Sequence, residues 1–281
     1  MTQSPANARY ATVRDFIDAC KAKAVNAANE PYRAAFIGTD MGAGAGFLGA
    51  DCKHGAAVLA LIESGWDKGR DSVREAQAKV SKTDLVPLDR RRRLKRTDFG
   101  DTLHMHDVYA GRLNTAWTQA RRKVTQGRQQ VSICVNSVCS VMEAPEVLFW
   151  RGAAAVMLAE LLDEFGYTSR IVVAFGGELL SDESKYSCRV TVKDFGMPLD
   201  ISTASAILLP GFFRALGHAW MAATDPNECV VGMSLPGRPV IEPDEFFIGP
   251  DIRDEATARN WAEQAIKQVN SGGIDDLESV I

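Results

Sequence analysis

Between residues 131 and 175 the hydrophobic pattern switches period twice. Val131–Val135 is a short β-rich run, and the polar turn Asn136–Ser140 follows it. Pro145 then stands where a helix favours proline, in its first turn. From there to Phe165, the positions Leu148, Met157, Leu158, Leu161, Leu162 and Phe165 can line one apolar face. Gly166 predicts a left-handed cap. Arg170–Phe175 is nearly all apolar, as in strands covered on both faces of a parallel sheet. This is the pattern of a βαβ unit with a right-handed crossover. Further on, 188–195 alternates with period two and suits an edge or antiparallel strand. Residues 202–223 predict a helix entered or kinked at Pro210. Residues 229–235 and 246–250 read as further short strands, and Asp251–Asp254 can cap a last helix.

The N-terminal part is helical by its spacing. Val13, Phe16, Ile17 and Cys20 mark one amphipathic helix, ended by Pro31. A glycine-dense stretch runs from Gly38 to Gly55, followed by a helix closed by Gly65 and another over 67–80. Residues 81–130 carry little periodicity. Phe99, Tyr109 and Trp117 suggest a strap anchored on a core it does not build. The expected division is a helical extension (1–80), a basic strap (81–130), an α/β domain (131–270) and an acidic, loose tail (271–281).

Composition narrows the function classes. With 281 residues, 46% hydrophobic and 24% charged, the chain is ordinary globular protein. Its net charge of −4 and pI of about 5.7 restrict any nucleic-acid contact to a local patch. No run approaches the roughly 18 apolar residues of a membrane span. The N-terminus also lacks the pattern of a secretory leader, so the expected location is the cytoplasm. Six cysteines form no CxxC pair, and His104 and His106 are the only close histidines, so zinc spacings are absent. The cysteines are read as small buried apolar residues.

The order of elements resembles a von Willebrand factor A domain, a Rossmann-like, mostly parallel sheet flanked by helices. That resemblance implies a metal-ion-dependent adhesion site, Asp-x-Ser-x-Ser after the first strand, completed by a Thr and a later Asp. In this chain Asn136 takes the Asp position, Val138 the first Ser and Ser140 the second, with Ser137 between them. Ser202 or Thr203 would supply the second-loop hydroxyl, and Ser234-Leu235-Pro236 occupies the last position without a carboxylate. Such a loop implies at most weak Mg²⁺ binding, and the same residues can instead cap the loop and the following helix. The chain also resembles an uncharacterised family encoded largely by phages and prophages. That second resemblance rests on residues 35–40, 61–69, 91–122 and the stretch from Val135 to Tyr167.

Other signals are weaker. Gly42–Gly46 lacks the Lys-Ser/Thr of a phosphate loop. Cys139 beside Ser140, with His218 in a helix, forms no nucleophilic set that spacing can connect. Arg90, Arg91, Arg92, Arg93, Lys95 and Arg96 put six positive charges in seven residues, a candidate contact for an anionic partner. The reading that results is a non-enzymatic protein–protein interaction module of a phage or mobile element, with a degenerate adhesion site and no resident cofactor. Its partners would be proteins, including other copies of itself or a phage-encoded assembly, in the host cytoplasm or the virion. The alternative is a nucleic-acid-associated factor that uses residues 90–96.

Overall fold

The structure is a computed structural model that describes residues 8–26, 47–80, 94–97, 102–120, 130–138, 143–178, 185–217, 220, 241–242 and 245–271. Two compact units make up the chain: residues 1–81 with 130–281, and residues 82–129. The first unit opens with β1 (Ala8–Tyr10), α1 (Val13–Asn26), α2 (Gly55–Ser64) and α3 (Asp67–Ala78). The second holds β2 (Leu94–Thr97), β3 (Thr102–Leu103), α4 (Met105–Tyr109) and β4 (Trp117–Ala120). The first unit resumes with β5 (Gln130–Asn136), α5 (Pro145–Glu164), β6 (Thr168–Glu178), β7 (Lys185–Lys193) and α6 (Ile201–Ile207). A π-helical turn (Phe212–Gly217), β8 (Glu245–Ile248) and α7 (Glu255–Ser271) complete it.

The expected βαβ unit is present as β5-α5-β6, with the two strands parallel and in register from Gln130↔Thr168 to Asn136↔Ala174. The five-stranded sheet has the order β1-β7-β6-β5-β8. All its pairings are parallel except β6 with β7. The alternating segment is therefore antiparallel as expected, but it is not an edge. The N-terminal residues Ala8–Tyr10 pair outside it and join the sheet, so the segment read as a helical extension also supplies a strand.

The sheet has two unlike faces. Ile133, Ile171, Val173, Val190, Phe175, Phe246 and Ile248 share the apolar one, and all are buried. There Phe16 of α1, Phe213 and Trp220 surround Phe175, with ring centroids 5.7–5.8 Å away. The opposite face carries Arg9, Arg189, Thr191, Arg170, Ser132, Cys134 and Glu245. A register shift between Ile171 and Val172 brings Lys193 opposite Ile171, onto the apolar side. Its Nζ donates there to Ser169 O and Oγ at 2.8 and 2.9 Å and lies 3.4 Å from Asp163 of α5. The bulge thus turns a buried lysine into a tie between the sheet and the end of its crossover helix.

α5 is buried nearly all round rather than along one stripe, because the sheet lies on one side and α3, α6 and α7 on others. Gly152 is what lets α6 approach: a Cβ there would lie 2.2 Å from Leu208 Cβ. The helix stops as its sequence predicts. Gly166 has φ 83°, its N–H donates to Asp163 O, and Tyr167 N–H donates to Leu162 O, a Schellman cap. Pro210 separates α6 from the π-helical turn. Asp254 caps α7 by accepting from Thr257 N–H at 2.8 Å.

In the second unit, β2, β4 and β3 form a three-stranded antiparallel sheet in that order. The segment expected as a basic strap thus carries a small sheet. Its short strands follow no periodicity long enough to read. Tyr109, expected as an anchor, is 82% exposed. Cys20, Cys52, Cys134 and Cys188 are buried, as small apolar residues would be. Pro31, Phe99, most of the glycine-dense stretch, residues 229–235 and the acidic tail lie outside the described residues.

Gly152→Ala is expected to destabilise the first unit by about 1–3 kcal/mol, because neither α5 nor Leu208 can give way without moving a packed helix. Urea denaturation followed by circular dichroism measures it, and an unchanged midpoint would contradict the close approach.

Candidate functional site

Two places on the first unit bring chemistry together. The first is the rim beyond the carboxyl ends of the parallel strands, where open α/β sheets place ligands. Asn136 ends β5, and its Oδ1 accepts from Val138 N–H at 2.9 Å, an Asx turn. Ser137 continues the β5 ladder: both its N–H and its hydroxyl donate to Ala174 O, at 3.0 and 3.2 Å. Two buried arginines then hold Val138 and Glu143. Arg151 of α5 donates to Val138 O at 3.2 Å and to Glu143 Oε1 at 2.6 Å. Arg214 donates to Glu143 O at 2.8 Å and to Phe47 O at 2.7 Å, with its guanidinium 4.5 Å from the Phe47 ring centroid. Both arginines are at most 2% exposed.

The second-loop residues stand at the start of α6. Thr203 Oγ1 donates to Asp200 Oδ2 at 2.8 Å, and Asp200 Oδ1 accepts from the N–H groups of Ser202 and Thr203. These bonds, the Thr203 hydroxyl first, hold the Asp200 carboxyl below its ordinary range. Ser202 Oγ donates to Asp67 at 3.2 Å, and Ser202 O accepts from Trp66 N–H. Among the described residues, no hydrogen bond or ion pair joins Ser202 or Thr203 to Asn136 or Ser137. Ser140, Cys139, His218 and Ser234-Leu235-Pro236 lie outside the described residues, as do Arg90, Arg91, Arg92 and Arg93. Lys95 and Arg96 fall in β2.

β5 has β6 on one side and β8 on the other, so among the described residues the rim turn beside Asn136 is the one after β8. It reads Gly249-Pro250-Asp251 and carries an exposed carboxylate. The Asn136 oxygen accepts within its own loop, the Ser137 hydroxyl donates to Ala174 O of β6, and the Thr203 hydroxyl donates to Asp200. No group of three or more His, Cys, Asp or Glu that could hold a metal occurs among the described residues.

The second place is the polar face of the sheet, which sequence reasoning missed. Arg189 of β7 forms a buried ion pair with Glu245 of β8, reaching across β6 and β5. Burial, the largest single influence, lowers the Arg189 pKa, but the hydrogen bond to Glu245 and the neighbouring negative charges together outweigh it, so the net shift is upward. Glu245 Oε1 also accepts from Ser132 Oγ at 3.0 Å, and its Oε2 accepts from Glu242 N–H at 3.2 Å. Arg9 pairs with Glu242 at 2.6 Å. Cys134 beneath them is pushed up to about 12 by burial, so its thiol is no nucleophile. A cavity of about 250 Å³ opens over this face, lined by Arg9, Arg170, Arg189, Thr191 and Glu242 among others. The usable signal was a charged residue at alternate positions of otherwise apolar strands: Arg170, Arg189 and Glu245.

Fold and site define an α/β protein with a mostly parallel sheet, an arginine-clamped rim and a charged second face. The chain belongs to the family described as Domain of unknown function (DUF7192), which it matches over residues 3–272. No curated protein and no solved structure matches it. No helix of the described residues is long and apolar enough to cross a membrane.

Replacing Arg189 by Leu strands Glu245, whose side chain is 1% exposed, and should lower stability by about 3–5 kcal/mol. The double change Arg189→Leu, Glu245→Leu should lose markedly less than the sum of the two single changes. Additive losses in a urea-denaturation cycle would show that the pair is not coupled.

Proposed function

We propose that the chain is a non-enzymatic protein–protein interaction module, built on a von Willebrand factor A-like core, that docks its partner at the rim beyond β5 without gripping a cation. The observation that carries this reading is the commitment of the rim side chains. Asn136 and Ser137 bond to backbone, and Arg151 and Arg214 pin Val138 and Glu143 on either side of the loop. Asn136, Ser137, Val138 and Glu143 held in this way lose little freedom on binding, which favours surface recognition over coordination chemistry. The element order, with β7 antiparallel and β8 returning beside β5, supports the likeness of the core. The setting in this reading is a phage-encoded or mobile-element assembly in the host cytoplasm or the virion.

The test is affinity capture of the tagged full chain from cells that encode it, in EDTA and in Mg²⁺, beside calorimetric titration with Mg²⁺ and Mn²⁺. A protein partner should be retained in EDTA and lost with Asn136→Arg and Ser137→Arg at an unchanged melting temperature. Micromolar cation binding abolished by Asn136→Ala, or release of the partner by EDTA, would overturn the reading.

A second reading rests on the position of β2. It is an edge strand of the small sheet, so Lys95 and Arg96 lie on an outer strand contiguous with Arg90–Arg93. This run could track a phosphate backbone. Filter binding across a salt series should then show a steep salt dependence, with affinity falling when Arg91, Arg92 and Arg93 become Ala. Unchanged affinity removes this reading.

A further inference from the structure

We infer that the cavity over the polar face of β1, β7 and β6 is a binding site for a small phosphate group. Three guanidinium groups converge on this face (Arg9, Arg170 and Arg189) against two carboxylates, Glu242 and Glu245. One positive charge is left in excess in a partly desolvated place, where an anion gains most from it. The three arginines are not equivalent. Arg189 is committed to Glu245 inside the protein. Arg9 is 64% exposed and paired with Glu242.

Arg170 is the group that points to a ligand. Its Nε donates to Ser132 Oγ at 3.2 Å, and its guanidinium lies 5.0 Å from the Phe195 ring centroid, so its plane is fixed. Its Nη2 stands 3.9 Å from both Glu242 and Glu245, beyond hydrogen-bond reach. Among the described residues, neither terminal nitrogen of Arg170 has a hydrogen-bond partner. A half-exposed guanidinium fork oriented by stacking, with its terminal donors unused beside a cavity, has the form of an oxyanion receptor.

The ligand class follows from what is already there. A carboxylate, Glu242, sits on Arg9, so a carboxylate ligand would only repeat that contact. A phosphate group brings more charge and three terminal oxygens, enough for Arg170, Arg9 and the Thr191 hydroxyl together. The cavity of about 250 Å³ admits phosphate or a small monoester and lies below the usual size of a drug-like site. Glu242 acts as the internal competitor that such a ligand displaces or shares. This site does not depend on the rim reading.

Calorimetry on the full chain at fixed ionic strength tests it, with inorganic phosphate, glycerol 3-phosphate and acetate in separate arms. Saturable phosphate binding at one site per chain is expected, with acetate silent. Arg170→Gln should weaken binding by roughly tenfold. Glu242→Gln should strengthen it severalfold, a gain that a misfolded variant cannot mimic. A tighter monoester identifies a phosphorylated metabolite as the source, and a tighter inorganic arm identifies free phosphate. Absence of saturable binding, equal binding of acetate, or no gain from Glu242→Gln would overturn the proposal. Asn136→Arg with Ser137→Arg should leave phosphate affinity unchanged, which separates failure here from failure at the rim.

Discussion

The ion pair between Arg189 and Glu245 constrains everything around it. It joins the second strand of the sheet to the last one, over the two strands between them. That reach is open only because the intervening positions on this face are small or slender: Ala174, Val172, Cys134 and Ser132. A buried pair of this kind adds little net stability against an apolar alternative, since both charges leave water. Its consequence is selectivity of arrangement. A slip of one residue in any of four strands would move a charge to the apolar face, where no partner awaits it.

The same logic separates the two sides of the sheet. One side is filled by rings and aliphatic groups and takes the helices; the other is polar and partly open. The shift at Ile171 and Val172 settles which side receives Lys193, and so ties the crossover helix to the sheet by a cation rather than by packing alone. Beyond the carboxyl ends Val138, Glu143 and Phe47 are likewise held by buried cations, here guanidinium groups bonded to carbonyl oxygens. Three unrelated places in the fold thus use a buried basic side chain as a fastener.

Much of the architecture was legible before any coordinates. Pro145, the long apolar run after it and Gly166 mark the crossover helix because proline, burial and a left-handed cap each act locally. The alternation of Cys188–Lys193 marked an antiparallel strand for the same reason. What was not legible depends on distance along the chain. β1 has three residues, too few for any period, and it is held only by its pairing with β7. That Glu245–Ile248 pairs with β5 was likewise not legible, because strand order is decided by tertiary packing and not by the strength of an apolar run. At the site, Asn136 and Ser140 were read from their types as residues that satisfy the loop backbone; Asn136 does so through Val138 N–H, and Ser140 lies outside the described residues. Arg9, Arg170 and Arg189 were not connected, since they meet only once three strands are laid side by side.

The sheet is long in its middle and short at both margins: β1 spans three residues and β8 four, against nine and eleven for β7 and β6. Among the described residues, each margin therefore offers few main-chain groups along which a foreign strand could extend the ladder.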